Sequence, residues 1–113
     1  MADNIIKTKS FSFALRIVKL YQFLSSEKKE FILSKQLLRS GTSIGALVRE
    51  SEHAESKLDF KHKCKIAYKE AEETEYWLDL CHGAETYPEN LVLNEEIRVI
   101  KRVLGKIISS SAQ

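Results

Sequence analysis

The sequence has little proline, glycine or cysteine, and each shortage excludes something. One Pro and four Gly in 113 residues rule out collagen-like and low-complexity chains and suit a helix-rich fold. The two cysteines, Cys64 and Cys81, lie in helical sequence without a C-x-x-C spacing. Neither a disulfide framework nor a zinc site is expected, and a reducing compartment fits. No apolar run approaches the ~20 residues that a membrane span requires. The N-terminal stretch MADNIIKTKSFSFALRIVKLYQFL is basic and then apolar, but Arg16 and Lys19 interrupt it and no small-residue cleavage site follows. We therefore expect no signal peptide and a cytoplasmic location. An excess of one charge is also missing: 18 Lys and Arg against 16 Asp and Glu leave +2, too little to imply nucleic-acid or membrane binding from net charge alone. Any basic footprint has to come from local arrangement.

What is present is helical periodicity over a chain of single-domain length, enough for one core. From Ser10 to about residue 25, two adjacent apolar stripes run along a helix, Phe11, Ala14, Val18, Tyr21 and Phe13, Ile17, Leu20, Leu24. A helix in a monomeric bundle needs roughly a 100° stripe. The surplus covers either a partner subunit or close neighbours within the chain.

A second segment, about 27–55, carries Leu33, Leu37, Ile44 and Val48 on one face beside Ser34, Ser40, Gly41 and Gly45. Two glycines four apart cost about 1 kcal/mol each inside a helix, which suggests close approach of another backbone; a break at Gly41-Thr42-Ser43 is the alternative. The third segment, 56–83, has the cleanest signal. Phe60, Cys64, Ala67, Ala71, Thr74, Leu78 and Cys81 alternate steps of four and three, the pattern of a bundle seam. Ser56 with Asp59 resembles an N-terminal cap, and Gly83 and Asn90 read as a terminator and the next cap. The fourth segment, 91–108, turns Leu93, Ile97, Ile100, Leu104 and Ile107 inward and Arg98, Lys101, Arg102 and Lys106 outward. Short connections between four helices predict an all-α, antiparallel up-down-up-down bundle filling residues 1–113 as one domain.

Catalytic chemistry finds little support. Glu50 precedes His53, and Asp79 precedes His82, by three residues, the spacing used by di-iron bundles. Both pairs end consecutive antiparallel helices, so they fall at opposite ends and cannot share a metal. Cys64 and Cys81 lie on the core seam, and no nucleophile has a base beside it in pattern. We expect no enzyme, no metal and no cofactor.

Charge is segregated on the third helix. Lys57, Lys61, Lys63, Lys65 and Lys69 fill its first half; Glu70, Glu72, Glu73, Glu75 and Asp79 fill its second. This opposes the helix dipole. Pairing with the second helix, between Glu50, Glu52 or Glu55 and the lysines and between Lys35 or Arg39 and the acids, is one compensation; pairing between subunits, or phosphate binding by the lysines, is another. On the second helix Lys35, Arg39, Thr42, Ala46, Arg49 and His53 follow one face, a line of roughly 27 Å at 1.5 Å per residue. With the basic residues of the fourth helix it makes two strips, and aromatic residues that would stack on bases are sparse there.

With seam and turns placed, one stretch becomes distinctive: Gln36-Leu-Leu-Arg-Ser-Gly-Thr-Ser-Ile-Gly-Ala46, Arg49-Glu50, Ser56-Lys-Leu-Asp-Phe-Lys-His-Lys63, and Ala67-Tyr-Lys-Glu-Ala-Glu-Glu-Thr-Glu-Tyr-Trp-Leu78. It resembles the bacterial four-helix-bundle proteins first noticed as reading frames inside 23S rRNA intervening sequences, over about residues 10–110. Leu47 stands where that family usually has Asn. The resemblance implies a four-helix protomer assembling as a ring, typically a homopentamer, with no enzymatic activity. It also implies kinship with the accessory proteins of diversity-generating retroelements, which bind nucleic acid and a reverse transcriptase, so RNA, DNA or a reverse-transcriptase-like protein are the expected partners. Arg39, Arg49, Lys57 and Lys61 match basic positions of the pattern and, with Lys35, are the candidate phosphate contacts. The competing expectation is a protein-interaction scaffold that binds no nucleic acid.

Overall fold

The structure is a computed structural model that describes residues 2–84 and 91–110, with side chains from Ile5 onward. Four helices run in chain order: α1 (Ala2–Ser26), α2 (Leu33–Ser51), α3 (Lys57–Gly83) and α4 (Leu91–Ser110). There is no strand among the described residues, and the fold is an all-α four-helix bundle measuring 46 × 20 × 19 Å. Each helix packs on two neighbours, α1 and α3 both lying against α2 and α4. Side-chain pairs give the directions. Lys7 near the start of α1 meets Glu52 just past α2, and Lys63 early in α3 meets Glu50 late in α2. Asn94 at the start of α4 meets Asp79 late in α3. Arg16 of α1 meets Glu96 of α4, whereas Ile6 shares a cavity wall with Ile107. All four neighbouring pairs are therefore antiparallel, the up-down-up-down arrangement.

The core follows the predicted seams. Cys64, Ala67, Ala71, Thr74, Leu78 and Cys81 of α3 are all buried, as are Leu93, Ile97, Ile100, Leu104 and Ile107 of α4 and Leu37, Ile44 and Val48 of α2. Phe60 is half-buried against them. Phe13 and Ile17 of α1 are both fully buried; each such side chain stabilises the fold by about 1.5–3 kcal/mol relative to exposure. The buried hydroxyls of Thr74 and Ser40 lie 2.9 Å apart across the α2–α3 seam, and Thr74 also donates to the Glu70 carbonyl. Small polar residues are tolerated there because each finds a partner.

Four boundaries differ from the sequence expectation. α1 begins at Ala2 rather than near Ser10. Its buried stripe starts at Ile6 and continues through Ser10, Phe13, Ile17 and Leu24, with spacings of three, four and seven that hold it on one face. Helix α2 starts at Leu33, not near 27. Lys29 takes a positive φ of 54°, which ends helical geometry, and Glu30 folds back as the cap. Its carboxylate accepts from the backbone N–H groups of Ile32, Leu33 and Ser34 at 3.1, 3.0 and 2.7 Å. An acid in this place satisfies orphan donors and faces the positive end of the dipole. Burial alone would raise the Glu30 pKa; the backbone bonds from Leu33, Ser34 and Ile32 outweigh it and hold the group below its ordinary value. Helix α2 closes at Ser51 instead of near 55, because the N–H groups of Glu52, His53 and Ala54 tighten onto the carbonyls three residues back. Helix α4 runs two residues beyond 108, to Ser110.

Helix α2 is unbroken through Gly41-Thr42-Ser43, and its glycines serve unequal ends. A Cβ on Gly41 would lie 2.9 Å from two carbons of Ile17, which is the tight approach; at Gly45 the nearest atom is the Ser10 carbonyl oxygen at 3.5 Å, ordinary contact. The close neighbour at Gly41 is thus a side chain, not a backbone. At α3, Ser56 Oγ accepts from Asp59 N–H at 3.0 Å, the expected cap, while the Asp59 carboxylate reaches one residue further back, to the N–H of Glu55. The expected Asn90 cap lies outside the described residues.

Candidate nucleic-acid interface

The charge segregation of α3 is resolved very differently in its two halves. Every acid from Glu70 to Asp79 meets a donor from another helix. Arg39 of α2 pairs with Glu70 at 3.3 Å and with Glu73; Ser43 also donates to Glu70, and Trp77 to Glu73. From α4, Arg98 reaches Glu75 at 3.3 Å, Lys101 reaches Glu75 at 2.8 Å and also Glu72, and Asn94 reaches Asp79. The Glu75 carboxyl is held below its ordinary range, chiefly by the Lys101 hydrogen bond, against burial and with help from Arg98. Burial would lower the Lys101 pKa, but the bonds to Glu72 and Glu75 dominate and raise it.

The lysine half receives one such pair, Lys63 with Glu50 at 3.1 Å. Among the described residues Lys57, Lys61, Lys65 and Lys69 form no ion pair. Their spacing is four throughout, so each step climbs about 6 Å and turns about 40°, giving one continuous ridge roughly 18 Å long that winds about 120° around the helix. Lys57, Lys65 and Lys69 are exposed, and Lys61 is half-buried. Register places the middle of the ridge toward α4: Lys61 stands two turns before Tyr68, which lies against Gly105, and Lys65 two turns before Glu72, which pairs with Lys101, whereas Lys69 stands one turn before Glu73, which pairs with Arg39 of α2. Asp59, the one acid within the ridge's span, lies on another face and is spent on the cap. Like charges four apart destabilise a helix by about 0.2–0.5 kcal/mol per pair, and cations in the first half oppose the dipole. The helix carries these lysines at a cost to its own stability.

The five candidate phosphate contacts are not brought together. Arg39 is committed to Glu70, Glu73 and Gln36. Arg49 turns toward α1, its guanidinium 5.5 Å from the centroid of the Phe11 ring, a cation–π contact. Lys35 is exposed at the opposite end of α2, about 21 Å from Arg49 along the axis. Lys57 and Lys61 share a surface on α3, and Lys35 stands one turn from the acid-paired Arg39 on α2. The line predicted along α2 is thus interrupted by its own ion pairs, and Lys65 and Lys69 extend the surface on α3; their i+4 spacing was the available signal. On α4, Arg98 and Lys101 point to acids of α3, while Arg102 stays exposed without an acid among the described residues.

Among the described residues these charges are accompanied by no nucleophile paired to a base. Cys81 is buried, and its thiol is pushed up to about 11 by burial and then by the Glu30 charge, so it stays protonated and poorly nucleophilic. Cys64 and Cys81 are 17 residues apart on one helix, roughly 25 Å along the axis, and cannot pair with each other. Glu50 is paired with Lys63 at one end of the bundle and Asp79 with Asn94 at the other, so the two carboxylate–His spacings stay apart. Among the described residues no three potential ligands converge on a metal position. A groove of about 400 Å³ between α1 and α4 is lined by Thr8, Lys9, Ser12, Glu95 and Val99, without a nucleophile paired to a base. No helix among the described residues is long and apolar enough to cross a membrane.

Known proteins place this architecture in context. The sequence model of the 23S rRNA-intervening sequence protein family matches residues 2–106. A crystal structure of a protein of unknown function from the S23 ribosomal protein family of Bacteroides thetaiotaomicron VPI-5482 superposes with a TM-score of 0.93 at 51% identity, over 96% of this chain and 99% of that one. Neither description names an enzyme. No curated protein matches this chain.

Proposed function

Because the chain belongs to the 23S rRNA-intervening sequence protein family, we propose that it is a self-assembling accessory protein that holds nucleic acid without transforming it. The observation that carries this reading is that Lys57, Lys61, Lys65 and Lys69 of α3 have no acidic partner among the described residues, while the acids of the same helix are all engaged. Self-assembly is supported by the outer side of α1, where Phe11 and Leu15 are each about half exposed (52% and 51%), a surplus that a monomeric bundle does not need. The assembly is a ring, with the pentamer implied by the resemblance as its size. Arg49, Lys57, Lys61 and Lys35 supply cations, and Arg39 contributes only where its acids release it. The test is the native mass together with the 260/280 nm absorbance ratio of protein purified at low salt. A particle near 65 kDa, about five chains of 13.0 kDa, with a raised ratio supports the reading; a monomer with the ratio of pure protein contradicts it.

A second reading is a protein-binding scaffold, with a reverse-transcriptase-like protein as one partner. It is favoured by the exposed apolar side chains of Ile32 (76% exposed), just before α2, and of Tyr76 and Leu80, late in α3. A stoichiometric protein partner in particles free of nucleic acid would favour it over the first.

A further inference from the structure

Resting on the nucleic-acid reading above, we infer that the ridge Lys57, Lys61, Lys65 and Lys69 is the contact surface, and that it takes the phosphate backbone of a duplex rather than unstacked single-strand bases. Four features argue for this. The lysines lack acid partners among the described residues, although α3 elsewhere satisfies its charges from both neighbouring helices. Their uniform spacing of four winds them by about 120° around the outer, convex side of α3, and the cavity beside Lys57 and Phe60 lies at one end of this line rather than along it, where a single strand would be cradled. No aromatic side chain projects from the ridge as a stacking platform: Tyr68 is half-buried against Gly105, and Phe60 packs on the core. A duplex also presents one phosphate per roughly 1.7 Å of axis, a denser line of charge for an 18 Å ridge than a single strand supplies. Lysine ammonium groups, as mobile point charges, suit backbone contact without base readout.

The surface differs from the line along α2, where Arg39 is already neutralised and Arg49 lies over Phe11. Binding through the ridge is therefore independent of sequence and steeply dependent on salt. Four phosphate contacts give a slope of log affinity against log salt of about −3.6 per bound protomer, or roughly a 100-fold loss between 50 and 200 mM.

The experiment measures binding of the full chain to a fluorescent 20-base-pair RNA duplex, and to a single strand of the same length, across that salt range. The quadruple variant Lys57→Gln, Lys61→Gln, Lys65→Gln, Lys69→Gln is compared with the pair Lys35→Gln, Arg49→Gln, each first shown to be helical and cooperatively folded. We expect the duplex to be preferred, the quadruple variant to lose the slope and at least 100-fold in affinity at 50 mM, and the Lys35, Arg49 pair to retain most of both. Single and paired ridge substitutions reduce the slope by about one per lysine removed, which keeps the inference testable if the quadruple variant does not fold. Wild-type affinity in the quadruple variant with loss in the Lys35, Arg49 pair overturns the ridge and leaves the nucleic-acid reading intact. Stronger binding to the single strand overturns the duplex assignment. Absence of binding to either strand form at 50 mM salt overturns the nucleic-acid reading itself.

Discussion

From Lys57 to Lys69 the third helix carries five lysines, of which one meets an acid; from Glu70 to Asp79 it carries five acids, each held by a donor from another helix. The acids work as ties. Arg39 binds α3 to α2, and Arg98, Lys101 and Asn94 bind it to α4, so the second half of the helix is fixed on both sides. Among the described residues the lysines tie nothing apart from Lys63 to Glu50, and they repel one another. One stretch of sequence with near-zero net charge thus divides into a part that serves folding and a part that folding would do better without. A local charge pattern becomes informative about function only after its internal partners have been subtracted.

This contrast can be broken most forcefully from the acid side. Removing both α4 cations with Arg98→Ala and Lys101→Ala leaves Glu75, whose side chain is 18% exposed, without its compensating charges. We expect a loss of about 2 kcal/mol in urea unfolding, below the cost of a fully buried pair because water reaches the site. A change under half that size would show that the ties are ornamental. Next in size is the cap of the lysine half: Ser56→Ala deprives the Asp59 N–H of its acceptor and is expected to cost about 1 kcal/mol.

Acid pH should act on the same side. Glu75 and Glu30 are both held below the ordinary 4.5, so the unfolded chain takes up their protons first on acidification. Their contribution is complete above that value and is lost as pH falls through their folded pKa. The urea midpoint should decline from pH 5 downward, and the decline should be shallower in the Arg98, Lys101 variant. An equal decline in both would remove Glu75 from the account. The smallest effect has the opposite sign. Lys65→Gln with Lys69→Gln should raise stability by about 0.3 kcal/mol through relief of like-charge pairs, read as a small upward shift of the midpoint; a clear fall would mean that these lysines hold the fold.

Much of the fold was legible because a helix buried on one side repeats its apolar residues every three or four positions, and α3 and α4 do so from Phe60 to Cys81 and from Leu93 to Ile107. The start of α1 was hidden because Lys7, Thr8 and Lys9 surround Ile6, and because its next core position is Ser10, a polar residue buried opposite Gly45. The segment Glu27-Lys-Lys-Glu30 consists of good helix formers, and only the folded backbone shows Lys29 at positive φ and Glu30 as a cap. The candidate site was legible in composition but not in availability. Arg39 and the acids that neutralise it are 31 and 34 residues apart, a separation at which pairing follows from helix register rather than from any local pattern. Lys57 and Lys61 could be read in sequence, whereas their separation from Lys35 and Arg49 needed the bundle.

The division of α3 is tested most directly by measuring, on one preparation of the Lys57→Gln, Lys61→Gln, Lys65→Gln, Lys69→Gln variant, both the urea midpoint and the affinity for duplex RNA at 50 mM salt. The account predicts a midpoint equal to or above that of the wild type with affinity reduced at least 100-fold. A lowered midpoint with affinity unchanged would contradict it, since the lysines would then belong to the fold and not to a partner.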